Sequence, residues 1–418
     1  MDQKPRNRSG ESLWDRPVRR TTPRGTHRSK PFAGRQSVAR RIQEFWRERV
    51  EFSLRGMDRP FLYVLLILVF FGMVMIISSG SYAAVRLGGT GVTRYLVKQG
   101  GFLLGSLLIL FVFSSIDYHV LNWRLLLFAF PFVLVLNIVP IFFQDANGAH
   151  RWIDLGPLSF QPSELAKFYL VALAAALLSL PKTKKRAAQR NRFFILTLAL
   201  FAFVLIIAVL QSNLSTAAIA GMSTMMVLLT SSLPVVWSIL LGGAGMVGGI
   251  FMFIYSSYRQ DRLKGFMNPM ADPTGKNLQI VQSLYALSMG GLLGQGLGNS
   301  RFKAFWLPMA ENDFIFAIIC EELGLVGALG VIGLLGYLVL AGFRIGRTAK
   351  DEHGKLLALG ILSVIFFQSA INLAVVMGAF PVTGVTLPFI SAGGTSLFVN
   401  MAAMGIVLNV SKQRKEAV

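Results

Sequence analysis

Apolar runs of about twenty residues recur along the whole of this 418-residue chain, and no other feature limits its folding as strongly. A bilayer core about 30 Å thick is crossed by about twenty helical residues, and a helix satisfies its own backbone groups there. Spans are predicted at 60–79, 97–114, 122–143, 161–180, 193–211, 214–231, 234–256, 313–343, 355–378 and 386–410. A soluble core has no use for so many such runs, and the period-two alternation of a membrane barrel is absent. The chain therefore reads as an all-α polytopic membrane protein. It has about ten transmembrane helices and a long extracellular loop between spans 7 and 8.

The net charge of +21 is unevenly placed. Through position 59 there are sixteen Lys and Arg against seven Asp and Glu. A basic tail of this kind suits either nucleic acid or anionic lipid. Beside a membrane span the second reading is the better one, so membrane lipids are expected as partners and nucleic acid is not. The basic loop PKTKKRAAQRNR, the loop around FRIGRTAKDEHGK and the tail SKQRKEAV all fall on the side of the basic N-terminus. That asymmetry puts both termini in the cytoplasm and the multi-pass chain in the cytoplasmic membrane. Residues 1–59 form a cytoplasmic tail, 60–410 the membrane domain and 411–418 a second short tail. Within the first tail, 37–55 carries apolar residues at helical spacing among basic ones, as an interfacial amphipathic helix or a docking helix does. No cleavable leader is visible. The single cysteine, Cys320, rules out an internal disulfide and reads as a small buried residue.

Several segments depart from plain spans. The stretch 257–312 is predicted outside, yet it carries Arg259, Arg262, Lys264, Lys276, Arg301 and Lys303. It reads either as a site for an anionic ligand at headgroup level or as a solvated loop. Its run LQIVQSLYALSMGGLLG is too short and Gly-broken to span, and fits a re-entrant or surface-lying helix. The Gly-rich GGLLGQGLGNS lacks the Gly-Lys-Ser/Thr of a phosphate loop and reads as a hinge. In NGAHRWIDLGPLSFQPSELAKF, Gly148, Gly156 and two prolines make a turn, and Pro162 and Glu164 suit the first turn of a helix. Glu164 and Lys167 are three residues apart and can pair, either as structure or as the lining of a cavity. In NLAVVMGAFPVTGVTLPFISAGGTSL, two prolines and several glycines break the backbone, which at membrane depth is tolerated where it is buried or lines a wet cavity. His150 is a lone loop histidine, and no His/Cys/Asp cluster has zinc spacing.

Three of these segments together resemble the SEDS family (shape, elongation, division and sporulation). They are AHRWIDLGPLSFQPSELAKF, GLGNSRFKAFWLPMAENDFIFAIICEELGLVG and GAFPVTGVTLPFISAGGTSL. The likeness extends over all ten spans and leaves the N-terminal tail outside. The GLGNS-x-x-K form and the closing GIVLNVSKQ resemble the division branch, FtsW-like, more than the elongation branch, RodA-like, with sporulation paralogues as a third possibility. The resemblance implies a peptidoglycan glycosyltransferase. Such an enzyme polymerises lipid II, a disaccharide-peptide on a polyprenyl pyrophosphate, at the outer face of the cytoplasmic membrane during cell division. It implies a class B penicillin-binding protein and other divisome proteins as partners. The family's essential aspartate maps onto Asp313. Met309, Glu311, Asn312, Ala392 and the run Gln211–Thr216 depart from the usual pattern, while FIFA and EELG after Asp313 are intact.

The chemistry asks for matching groups. Sugar transfer from a pyrophosphate needs a base for the acceptor hydroxyl, and a carboxylate such as Asp313 with apolar walls suits that task. The departing pyrophosphate needs cations. Arg151, Lys167, Lys276, Arg301 and Lys303 are the candidates, with Glu164 and Ser391 as further substrate-binding groups. A divalent ion, Mg or Mn, is the alternative to side-chain cations, and no other cofactor is called for. Glu321 and Glu322 lie roughly 12 Å deeper along the helix than Asp313, from a rise of about 1.5 Å per residue, and are assigned to interhelical pairing, for which a basic residue of another span is one candidate partner. Glu311 is read as solvated. Two rivals share the same residues: a flippase for the lipid-linked precursor, and a non-catalytic scaffold of the division machinery.

Overall fold

The computed structural model describes residues 56–86, 89–143, 150–154, 159–180, 186–275, 277–308 and 310–414. The tail with its expected amphipathic helix, Gly148, Gly156, the basic residues at 181–185, Lys276, Met309 and residues 415–418 lie outside these.

Among the described residues the helices are α1 (Arg59–Arg86), α2 (Gly89–Ser115), α3 (Trp123–Ile138), α4 (Pro162–Leu178), α5 (Arg186–Leu205), α6 (Leu214–Thr230) and α7 (Val235–Ile254). They continue as α8 (Ser257–Met267), α9 (Leu278–Gly290), α10 (Phe302–Phe305), α11 (Ile315–Arg347), α12 (Glu352–Val376) and α13 (Gly394–Lys412). A two-stranded antiparallel ribbon, β1 (Ile153–Asp154) and β2 (Ser159–Phe160), precedes α4. Among the described residues eight helices are long and apolar enough to cross a membrane: α1, α2, α3, α5, α7, α11, α12 and α13. The 17-residue helices α4 and α6 complete the ten spans, at about 25 Å each for a rise of about 1.5 Å per residue. Of these, α4 lies in the middle of the bundle, and α6 buries one face against it and α12. Almost all of α4 is buried, packed against α3, α6 and α12. By contrast, α7 is almost wholly exposed, as a lipid-facing helix is.

The helix ends follow capping chemistry. Pro162 opens α4, where a missing N–H costs nothing. Asn122 accepts from the amides of Arg124 and Leu125 at 3.1 and 3.0 Å, Asn213 from Thr216 at 3.3 Å, and Asp351 from Gly354 at 2.7 Å.

Two spans differ from their sequence reading. The tenth begins at Gly394 rather than 386, and 377–393 is irregular backbone. Apolar composition there suggests a span, but Pro381 and Pro388 forbid a helix. Phe389 is buried with φ +67, and its carbonyl lies against α1 so closely that a methyl at Gly72 would be 2.4 Å away. The eighth span begins at Ile315, two residues after Asp313, and breaks at Gly324 (φ 65, ψ −163).

The Gly-rich stretch after α9 fills that break and is no free hinge. Gln295 and Gly296 donate to the carbonyls of Glu321 and Glu322 at 2.9 and 3.0 Å. Leu325 and Val326 donate back to Gly291 and Leu292 at 2.9 and 3.2 Å. These bonds satisfy the backbone groups that a helix break in an apolar span would otherwise orphan.

Candidate active site

Irregular backbone from three parts of the chain meets beside Asp313. The turn 311–314 carries the acid just before α11. The segment 382–386 passes beneath it, and Gly384 (φ +72) lets it come close. A methyl group on Gly384 would lie 3.4 Å from Asp313 Oδ2 and 3.5 Å from an Arg151 guanidinium nitrogen. The carboxyl and the guanidinium therefore flank one glycine.

Arg151 is aimed by the turn between α5 and α6. Its Nε donates to Gln211 O at 3.3 Å and its Nη2 to Ser212 O at 2.8 Å. Ser212 adopts φ +50, a left-handed conformation, as it presents that carbonyl. Gln211 is buried and donates to Asn137 O of α3 at 2.8 Å. Arg262 reaches the same place from α8, with Nη1 donating to Val382 O at 2.5 Å. A small polar pocket opens beside it, lined by Asn277, Gln279, Phe266 and Phe380.

The electrostatics of Asp313 follow from this setting. Burial disfavours the ionised carboxylate and pushes its pKa up to about 6, against the opposing pull of Arg151 and then Arg262. A carboxylate in that range is ionised at neutral pH yet basic enough to accept a proton in a transition state.

The pair Glu164–Lys167 is buried and lies in a wider network. Lys167 Nζ donates to Glu164 Oε1 at 2.7 Å and to Gln368 Oε1 of α12 at 2.6 Å. Ser396 of α13 donates to Glu164 Oε2 at 2.8 Å. Gln368 Nε2 donates in turn to Thr386 O at 3.0 Å, so the network ends on the segment that underlies Asp313.

The other sequence candidates take different places. Lys303 is buried, and its three donors are committed to Glu322 Oε1 (2.5 Å), Ser78 Oγ of α1 (3.0 Å) and Gly298 O (2.8 Å). Glu322 is thus bound between helices: its cation comes from the short helix α10, and Ser78 of the span α1 donates to both of its carboxylate oxygens at 2.9 and 2.8 Å. Glu321 accepts from the Arg301 amide at 2.7 Å and from Ser300 Oγ, while the Arg301 side chain is exposed. Ser391 Oγ accepts from the Leu387 amide at 2.8 Å and closes a turn in the broken segment. Glu311 is half-buried, and its carbonyl accepts from Ala392 N at 2.8 Å. His150 contacts Phe143 O through Nδ1 at 3.2 Å. Lys276 lies outside the described residues.

In the sequence Arg262 is one of six basic residues of its segment, with nothing to set it apart. Gln368 and Asn372 show there only as two amides four residues apart in an apolar span. Among the described residues no three His, Cys, Asp or Glu side chains converge to hold a metal ion. The donor set at Asp313, one carboxylate beside two guanidiniums, does not suit a divalent cation.

A family model described as "cell cycle protein" and covering FtsW, RodA and SpoVE matches residues 58–416. The stage V sporulation protein E of Bacillus subtilis (strain 168) is 35% identical over 361 residues, which cover 85% of this chain and 97% of that protein. A probable peptidoglycan glycosyltransferase FtsW from Geobacter sulfurreducens (strain DL-1 / KN400) is 36% identical over 372 residues, covering 87% and 98%. Among solved structures, a chain from a peptidoglycan synthase complex, described for its structural coordination of polymerization and crosslinking, has a TM-score of 0.67 at 27% identity. It covers 86% of this chain and 99% of that one. The rod shape determining protein RodA of Thermus thermophilus has a TM-score of 0.60 at 26% identity, covering 86% and 98%.

Proposed function

The chain belongs to the FtsW/RodA/SpoVE family of multi-pass membrane proteins, and from that premise we propose that it is an inverting peptidoglycan glycosyltransferase of the division type, with Asp313 as general base. The observation that carries the proposal is one half-buried carboxylate at the mouth of a span, set with the Arg151 guanidinium against Gly384 and within the field of Arg262. Its substrate is lipid II, met at the outer face of the cytoplasmic membrane, with both termini on the inner side.

Each group has a role. The acceptor sugar's hydroxyl gives its proton to Asp313 as its oxygen attacks the anomeric carbon of the donor. The bond from that carbon to the pyrophosphate oxygen breaks, and the polyprenyl pyrophosphate leaves with the electron pair. Arg151 and Arg262 face the developing negative charge, and preorganised cations are suited to stabilising it. Asp313 then returns its proton to solvent. Lys276 and Arg301 remain candidates for the same anion, and no step is routed through a metal ion. Lys167 and Glu164 act at one remove through Gln368, which holds Thr386, while Lys303 braces the break in α11 and Ser391 closes a turn of the broken segment. The solved relative in a synthase complex that joins polymerization to crosslinking supports a class B penicillin-binding protein as partner.

A flippase would use the same helices but would move its substrate without joining it. Purified protein with its partner, in detergent and with labelled lipid II, separates the two. Glycan strands formed where no compartments exist support the polymerase, and unreacted lipid II favours transport.

A further inference from the structure

Two amides of α12 have no part in the reaction as just described. Gln368 and Asn372 are four residues apart, so they share one face of the helix. Both are buried in an otherwise apolar span. A carboxamide in such a place is costly unless its polar atoms find partners. Both N–H groups of Asn372 are engaged: Nδ2 donates to Asp313 O at 2.8 Å and to Val385 O at 2.7 Å. Its oxygen has no partner among the described residues. The residue is thus present for its two donors. Gln368 holds the next residue along, with Nε2 donating to Thr386 O at 3.0 Å and to Thr386 Oγ1 at 3.3 Å.

The carbonyls held this way belong to the two pieces of backbone that make the site. One carries Asp313. The other carries Val382, which receives Arg262, and Gly384, which lies against both Asp313 and Arg151. A backbone bond from Ala392 N to Glu311 O joins the same pieces further along, but Asn372 is the join at Asp313 itself.

We propose that Asn372 is a positioning residue: by holding residues 313 and 385 on one carboxamide, it sets the distance between the Asp313 carboxyl and the guanidiniums of Arg151 and Arg262, with Gln368 bracing the neighbouring residue. The proposal rests on the reading of Asp313 as the base. A packing role would need only volume, which Leu supplies. The amide adds a fork of two donors with a fixed spread, and a misplacement of about 1 Å in a reacting group costs on the order of 10²-fold in rate. It also has an electrostatic consequence. The charged groups that act on Asp313 are Arg151 from the α3–β1 connection and Arg262 from α8. If the staple slackens, the arginines' hold weakens and the acid binds its proton more tightly. The ionised form is the working one, so the acidic limb of activity moves to higher pH.

The test compares wild type, N372A, N372S and D313N, each full-length and with its partner. Lipid II polymerisation is followed from about pH 5 to 8, alongside folded yield and amide hydrogen exchange of 311–315 and 380–388. Expected for N372A is a folded protein with activity down by roughly 10–100-fold. Its acidic limb should rise by about one unit, the scale of losing a nearby opposite charge, and both segments should exchange faster together. N372S keeps one donor and should fall between; if N372A fails to fold, N372S carries the comparison. A folded variant with lower activity but an unshifted limb, or with wild-type activity, overturns the positioning role while an inactive D313N leaves the base in place. Near-normal polymerisation by D313N overturns the reading of Asp313 itself, whatever Asn372 does.

Discussion

Replacing Lys167 with Met removes a cation from the middle of the bundle while keeping most of its volume. The side chains of Lys167 and Glu164 are only 1% and 7% exposed, so neither is hydrated. Wild-type Lys167 satisfies Glu164 Oε1 at 2.7 Å and Gln368 Oε1 at 2.6 Å. In K167M the carboxylate retains the Ser396 hydroxyl on its other oxygen, and its charge has no counterpart in the pair. Breaking a buried pair this way costs about 3–5 kcal/mol, and orphaning the Gln368 oxygen adds about 1–3 kcal/mol. Against a total stability of roughly 5–15 kcal/mol, that loss lowers the folded yield severely. Adding E164Q removes the uncompensated charge and leaves only unmet hydrogen bonds, so the double variant should recover about 2 kcal/mol or more. The assay is the unfolding midpoint and monodisperse yield of detergent-purified protein, for wild type, K167M, and K167M with E164Q, at one heating rate. A wild-type midpoint for K167M, or no recovery on adding E164Q, would refute the claim that this pair is a buried, mutually dependent charge couple.

Three further outcomes follow from other contacts. Polymerisation by the wild type should fall as pH drops through about 6, because Asp313 must be ionised to accept a proton; a rate flat down to pH 5 counts against it. G72A places a methyl 2.4 Å from Phe389 O and 2.7 Å from Ile390 Cα, so α1 and the broken segment must separate. Overpacking of that kind costs about 1–3 kcal/mol, read as a lower unfolding midpoint with reduced activity. The ring nitrogens of His119 lie 2.7 Å from Asp117 Oδ1 and 2.8 Å from Asp351 Oδ2, and the protonated ring donates to both carboxylates, linking the α2–α3 connection to the start of α12. Partial burial opposes its charge, but those hydrogen bonds and the two carboxylates outweigh it and raise its pKa above 6.5. A raised value means the link contributes fully below about 6.5 and is lost as pH climbs through the folded value. The wild-type midpoint should therefore drop more between pH 6 and 9 than that of H119A.

The spans were legible because hydrophobic length and helical geometry are local properties. Even the short α4 and α6 stand where the sequence placed them. The start of the tenth span was misread for a physical reason: hydropathy sums composition, and Val382–Ile390 is apolar enough to count, but it contains a proline and lies just after another. The mouth of the eighth span, with an acid two residues before Ile315, could be read from the order of residues alone. Arg262 could not be singled out, since choosing among six cations depends on where α8 lands. Lys303 reads as an outer-loop cation, yet the Gly-rich segment that precedes it folds into the break at Gly324 and carries it down to Glu322. Gln368 and Asn372 left a faint trace as polar residues in an apolar run. What they hold is backbone, and a sequence does not display which carbonyls lack partners.

Polymerisation by D313N decides the central claim. The change keeps the shape of the side chain and removes its basicity. Full-length D313N with its partner, given labelled lipid II while the partner's transpeptidase is blocked, should express and associate normally and make glycan at a rate lower by about 10²–10⁴-fold, the usual effect of losing a general base. Glycan strands at near wild-type rate, seen on the same gels, would contradict the assignment of Asp313.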